Sequence, residues 1–220
     1  MKLFSDSIGR KAVMAVSGLL MVLFVIGHLL GNLTIFAGAD GLNGYAEHLH
    51  ALPLVVWPTR VVMLVAVVLH VFFSIQITME NSNAKPDGYA VKHHLKATFA
   101  SKNMIWTGVI LGAFIVYHLL QFTFRVTPDV AAYAGEVPGN VFAMVTGALH
   151  ATFVGVVYVI AMVSLFLHLS HGIQSLFQTL GLSNSAMLPR YSMTGKVASI
   201  IFLVGFGAIP VAILAGFLAA

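Results

Sequence analysis

Apolar residues in this chain fall into five long runs, at about 12–36, 54–79, 103–125, 144–177 and 197–219, separated by segments where polar, charged and turn-forming residues gather. A helix crossing a hydrocarbon core of about 30 Å needs about 20 consecutive apolar residues. All five runs meet that length, and the fourth exceeds it enough to include an interfacial turn at its start. Apart from 80–102 and 126–143 the connections are short, which leaves no room for a soluble domain. The pattern therefore predicts an all-α fold, a single integral membrane bundle of five transmembrane helices occupying residues 1–220.

Composition agrees with the pattern: 59% of residues are hydrophobic, 8% are charged and the mean hydropathy is +0.96, whereas a soluble domain carries about 25% charged residues. The chain has no cysteine, which excludes thiolate-bound iron–sulfur clusters, cysteine–zinc sites and disulfides. Its ten histidines are then the best soft ligands it offers.

The charges sort by loop. Lys2, Arg10 and Lys11 precede the first run; Lys85, Lys92, Lys96 and Lys102 lie between the second and third, and Arg190 and Lys196 between the fourth and fifth. The opposite side holds Arg60 and Arg125 at span ends, with Asp40, Glu47, Asp129 and Glu136. The positive-inside rule then places the N-terminus in the cytoplasm and the C-terminus outside. A pI of about 9.5 needs no nucleic-acid partner to explain it.

Residues 1–36 superficially resemble a secretory signal, with basic residues before an apolar run and Ala-Gly-Ala at 37–39. The run is about 25 residues long, beyond the 7–15 of a signal core, and contains His28 and Asn32, so it is expected to remain as the first span. Gly27 and Gly31 flank His28 and are expected to leave space beside it. The outer connection 37–53 reads as turn-rich before a short amphipathic piece with Glu47, His48 and His50, and Pro53 and Pro58 bracket the start of the second span. In the inner loop, Lys85-Pro86-Asp87-Gly88 signals a turn and His93 and His94 are expected to be solvated. His150 falls near the outer end of the fourth span. The fifth span has no histidine and is expected to serve packing.

Depth can be estimated at about 1.5 Å per helical residue from the polar residues that mark the inner interface. His28 is 17 residues beyond Lys11 and His118 is 16 beyond Lys102, so both lie about 24–26 Å from the inner face. His70 precedes Glu80 by 10 residues and His168 precedes Gln178 by 10, which puts both at about 15 Å. His171 lies nearer the surface. Two histidine pairs at two depths, each residue on a different span, suit two stacked metal cofactors. Imidazole from both faces of a porphyrin gives six-coordinate haem iron, a state fitted to electron transfer, and helix bundles build such sites from facing side chains. The predicted sites are an outer haem b held by His28 and His118 and an inner haem b held by His70 and His168. Zinc fits less well, because no span contains an Asp or Glu to complete its shell.

At these residues the chain resembles the cytochrome b membrane-anchor subunit of the succinate:quinone oxidoreductases, the succinate dehydrogenase and fumarate reductase family, in its single-chain, five-helix, two-haem form. The resemblance covers essentially the whole chain. It rests on SIGRKAVMAVSGLLMVLFVIGHLLGNL at the start, YAEHLHALP before the second span, one haem-level histidine in each of spans one to four, and HLSHGIQSLFQTLG closing the fourth. It implies the same ligand pairing, a multi-pass protein of a bacterial-type inner membrane, and an electron-transferring role between a cytoplasmic iron–sulfur subunit and menaquinone or ubiquinone. A flavoprotein subunit carrying FAD would interconvert succinate and fumarate, and the assembled complex could dimerise. Segments 80–102 and 179–196 become candidate docking surfaces for those partners.

The resemblance also places quinone chemistry near the outer haem, where Glu47, His48 and His50 offer proton-exchanging side chains. Arg60 and Arg125 are candidate partners of haem propionates, and Ser17 with Arg10 forms an alternative quinone position at the inner end. Some two-haem relatives carry an intramembrane carboxylate as a proton path. No span here has one, so the resemblance does not extend to that route. Two other functions compete: the cytochrome b subunit of a hydrogenase or formate dehydrogenase, and, from another class, a small cofactor-free transporter or channel.

Overall fold

The computed structural model describes residues 6–84, 97–136 and 138–219. Lys2, Lys85, Lys92, Lys96, the 85–88 turn, His93 and His94 lie outside the described residues. Among those described the fold is helical without strands, and five helices are long and apolar enough to cross a membrane. In chain order the α-helices are α1 (Ser7–Asn32), α2 (Gly38–His50), α3 (Pro53–Asn83), α4 (Phe99–Lys102), α5 (Met104–His118), α6 (Val141–His150), α7 (Thr152–Thr179) and α8 (Leu188–Leu214).

The span bounds shift from the sequence expectation for local reasons. The 26 residues of α1 reach about 39 Å, longer than the hydrocarbon core, so its first turns carry Arg10 and Lys11 beyond the apolar run. After a 3₁₀ turn at Leu33–Ala37, Gly38 takes a left-handed φ of 80° that redirects the chain into α2. The expected turn-rich stretch is thus mostly helix, with Asp40 in its first turn, where the helix dipole favours an acid. At the start of α3 Pro53 loses nothing by lacking an N–H, and Pro58 is accommodated inside the helix.

The third span keeps α geometry only to His118. It finishes in a π turn at Leu119–Thr123, closed by Phe124 N–H donating to the Leu119 carbonyl at 2.8 Å. Arg125 then adopts φ 53°, and the chain reverses into the outer loop. The turn expected at the start of the fourth span is a break at Ala151, whose extended backbone (φ −64°, ψ 114°) separates α6 from α7.

Around the bundle α1 neighbours α3, α3 neighbours α5, α5 neighbours α7 and α7 neighbours α1; α8 packs along α7 and touches α1. Helices in lipid gain little from the hydrophobic effect between themselves and rely on close packing of small residues. On α8, a Cβ at Gly195 would stand 3.1 Å from the Ser170 carbonyl oxygen of α7. Another at Gly205 would stand 2.8 Å from the end of Leu29 on α1. The packing role expected of the last span is thus visible at these two glycines. A core of Ile35, Leu42, Phe142, Leu149, Val154, Tyr158, Ile209 and Ile213 ties α2, α6, α7 and α8 together toward one end.

Candidate functional site

Because α1, α3, α5 and α7 surround the bundle in that order, α1 faces α5 and α3 faces α7 across its diagonals. The four histidines occupy those diagonals. His28 on α1 meets His118 on α5 with ring centroids 5.8 Å apart, and His70 on α3 meets His168 on α7 at 6.3 Å. Gly18 faces His70 and precedes His28 by ten residues, which separates the two levels by about 15 Å. The polar markers alone gave about 10 Å.

The ring nitrogens are held in a common way. His70 Nδ1 lies 3.0 Å from the Met14 carbonyl, which can only accept. Nδ1 therefore carries the proton, and Nε2 keeps its lone pair. Ser17 Oγ stands 3.4 Å from the same nitrogen while donating to the Met14 carbonyl. His168 Nδ1 lies 3.1 Å from Thr107 Oγ1, and the Thr107 hydroxyl proton is committed to the carbonyls of Asn103 and Met104. His118 Nδ1 lies 3.0 Å from the Tyr158 hydroxyl. On three of the four rings a neighbour thus fixes the tautomer that leaves Nε2 available, the pattern found behind metal-bound imidazoles. His28 is held by rings, stacked on Phe24 at 5.4 Å and tilted against Phe206 at 5.9 Å.

Two imidazoles bound to opposite faces of one metal, with nitrogens about 2 Å from it, put their ring centres about 6 Å apart. Both pairs match that spacing. All four histidines are largely enclosed by the helices, with part of each still exposed. Space remains on the neighbouring backbones too: nothing stands within 4 Å of a Cβ placed on Gly27 or Gly112. At Gly18 and Gly108 a Cβ would meet the Cε1 atoms of His70 and His168 at 3.2 and 3.4 Å. An apolar cavity of about 410 Å³ between α1 and α3, lined by Val13, Val16, Ser17, Val65, Ala66 and Leu69 among others, adjoins the His70 level. Among the described residues no three His, Asp or Glu side chains converge as a metal site. A pair of imidazoles suits a metal whose remaining ligands arrive with it, as in a porphyrin.

The other expected residues are not brought to these pairs. Glu47, His48 and His50 lie on the exposed face of α2, while Leu42 and Ala46 take its buried face. His50 Nδ1–H donates to the Ala46 carbonyl of its own helix at 2.8 Å. Arg60 is exposed, its guanidinium 5.0 Å over the Trp57 ring. Arg125 donates to the carbonyls of Tyr133 at 2.9 Å and Pro138 at 3.0 Å, and to that of Glu136. It thus gathers the outer loop instead of facing the rings. Arg10 forms an ion pair with Glu80. The space expected beside Gly31 is filled by the Tyr45 ring of α2, while Gly27 stays open. His171, one turn beyond His168, is half-buried and outside the ring pair.

Thr107, Tyr158 and Gln121 are additions that the sequence reading missed. Polar residues inside a span are costly and mark function, and that signal was available at Thr107 and at Gln121, which is fully buried three residues after His118.

No protein-family model, curated protein or solved structure matches this chain.

Proposed function

We propose that this chain is the di-haem cytochrome b anchor of a succinate:quinone oxidoreductase-type complex in a bacterial-type inner membrane. The observation that carries the reading is the pairing of four intramembrane histidines across both diagonals of one bundle at two levels, with ring spacings of 5.8 and 6.3 Å. His28 and His118 would hold the outer haem b, and His70 and His168 the inner one. Bound there, haem iron would supply reversible one-electron chemistry. The protein's own part is to fix the tautomer of His70, His118 and His168, to exclude water with an apolar shell, and to orient the four rings.

The chain has no cysteine to hold an iron–sulfur cluster, so that cluster belongs to a partner subunit, and in the proposed complex a flavoprotein subunit carries the FAD. With the N-terminus in the cytoplasm and the C-terminus outside, those partners dock on the inner face at segments 80–102 and 179–196, which carry Lys102, Arg190 and Lys196. Electrons pass between the iron–sulfur subunit and menaquinone or ubiquinone. Glu47, His48 and His50 on α2 are the proposed proton-exchanging side chains for the quinone.

The test is a set of single alanine variants with haem content and reduced-minus-oxidised spectra recorded on each. His28→Ala and His118→Ala are expected to lose one spectral component in common, and His70→Ala and His168→Ala the other. Any other grouping overturns the assignment.

A further inference from the structure

The two histidine pairs differ in what stands behind them. At the inner level both supporting contacts end on backbone carbonyls: His70 on that of Met14, and His168, through Thr107, on those of Asn103 and Met104. At the outer level the chain of bonds is longer and ends on a charge. Tyr158 Oη donates to Gln121 Oε1 at 2.7 Å. A phenol has one proton to give, so Tyr158 accepts from His118 Nδ1–H across their 3.0 Å contact. Gln121 in turn donates through Nε2 to Asp129 Oδ2 and to Tyr117 Oη at 3.2 Å. An ionised carboxylate only accepts. The donors therefore all run one way, from His118 through Tyr158 and Gln121 to Asp129.

Three features indicate that this order is imposed by the fold. Gln121 is fully buried and Tyr158 nearly so, where a buried polar group left without its hydrogen bond is costly. Gln121 sits inside the π turn at Leu119–Thr123, and such turns within helices are frequent at functional sites. The loop that carries Asp129 is tied back by Arg125 to the carbonyls of Tyr133, Glu136 and Pro138.

We infer that Asp129, acting through Gln121 and Tyr158, is a positioning residue for His118: it fixes the ring with its proton on Nδ1 and increases electron donation from Nε2, lowering the reduction potential of the outer haem relative to the inner one. A hydrogen bond from the far nitrogen toward a negative charge raises imidazole basicity, and a more basic axial ligand favours the oxidised iron. Among the described residues the hydrogen bonds behind His70 and His168 end on neutral carbonyls, so the bundle sets an inward gradient of electron affinity through its own side chains. This inference rests on the haem reading given above.

The experiment is a potentiometric titration of the purified full chain with low-temperature electron paramagnetic resonance of both oxidised haems, on wild type, Asp129→Asn and Tyr158→Phe. Asp129→Asn preserves size and an acceptor oxygen but removes the charge. It is expected to raise the outer-haem midpoint and move its low-spin signal while the inner haem stays put; Asp129→Glu restores both. Tyr158→Phe shifts the outer haem in the same direction. Should it fail to assemble, Asp129→Asn decides alone. Two bound haems with outer potential and signal unmoved in Asp129→Asn would overturn the inference only. A wild-type protein without haem b bands would overturn it together with the reading beneath it.

Discussion

His70 meets His168, and not His171, across the α3–α7 diagonal: the ring centroids of the first two are 6.3 Å apart. His168 is further tied by Nδ1 to Thr107 of α5 at 3.1 Å, so a third helix fixes which member of the His168–His171 pair turns inward. Positions i and i+3 of a helix share a face, and spacing alone does not separate them.

The two histidines therefore predict different phenotypes. His168→Ala is expected to lose the inner haem and keep the outer one, whereas His171→Ala keeps both. Haem content and difference spectra of the two variants check this, and equal losses would contradict it.

Thr107→Val removes the acceptor of His168 Nδ1–H while preserving shape. A buried donor left without a partner costs about 1–3 kcal/mol. The variant is expected to bind the inner haem more weakly with the outer one unaffected, read as faster haem loss to an apomyoglobin scavenger.

Gly31 and Tyr45 bind α2 to α1, since the tyrosine ring occupies the place a Gly31 side chain would take. Overpacking of this kind costs about 1–3 kcal/mol, so Gly31→Ala is expected to lower the thermal midpoint in detergent. Tyr45→Ala combined with Gly31→Ala should destabilise by less than the sum of the two, because the clash is shared. Additive effects would separate the residues.

Arg125→Gln is expected to leave both haem spectra intact while speeding hydrogen exchange of residues 126–136, because the guanidinium is engaged with three loop carbonyls. Loss of the outer haem in this variant would return Arg125 to a propionate role.

The proton-exchange proposal for α2 has its own check. Glu47→Gln and His50→Ala are expected to slow quinol turnover of the assembled complex with haem content unchanged. Unaltered turnover in both variants moves the quinone chemistry elsewhere.

Much of the architecture was legible because lipid imposes a simple rule: a span must be long, helical and apolar. That rule located all five spanning helices, and the polar markers put His28 level with His118 and His70 level with His168. What it could not supply was local direction. The π turn that aims Gln121 inward and the left-handed Arg125 that reverses the chain depend on tertiary contacts with Asp129 and the outer loop, and hydropathy carries no trace of them. Gly31 illustrates the same limit, for a small residue beside a histidine reads as open space until Tyr45 of α2 fills it.

The central claim is that the four diagonal histidines hold two b-type haems, and the most direct measurement is the haem content and reduced-minus-oxidised spectrum of the purified full chain. Two haem b per chain, with low-spin signals typical of bis-imidazole iron, is the expected result. A protein that folds in the membrane and shows no haem b bands would contradict it.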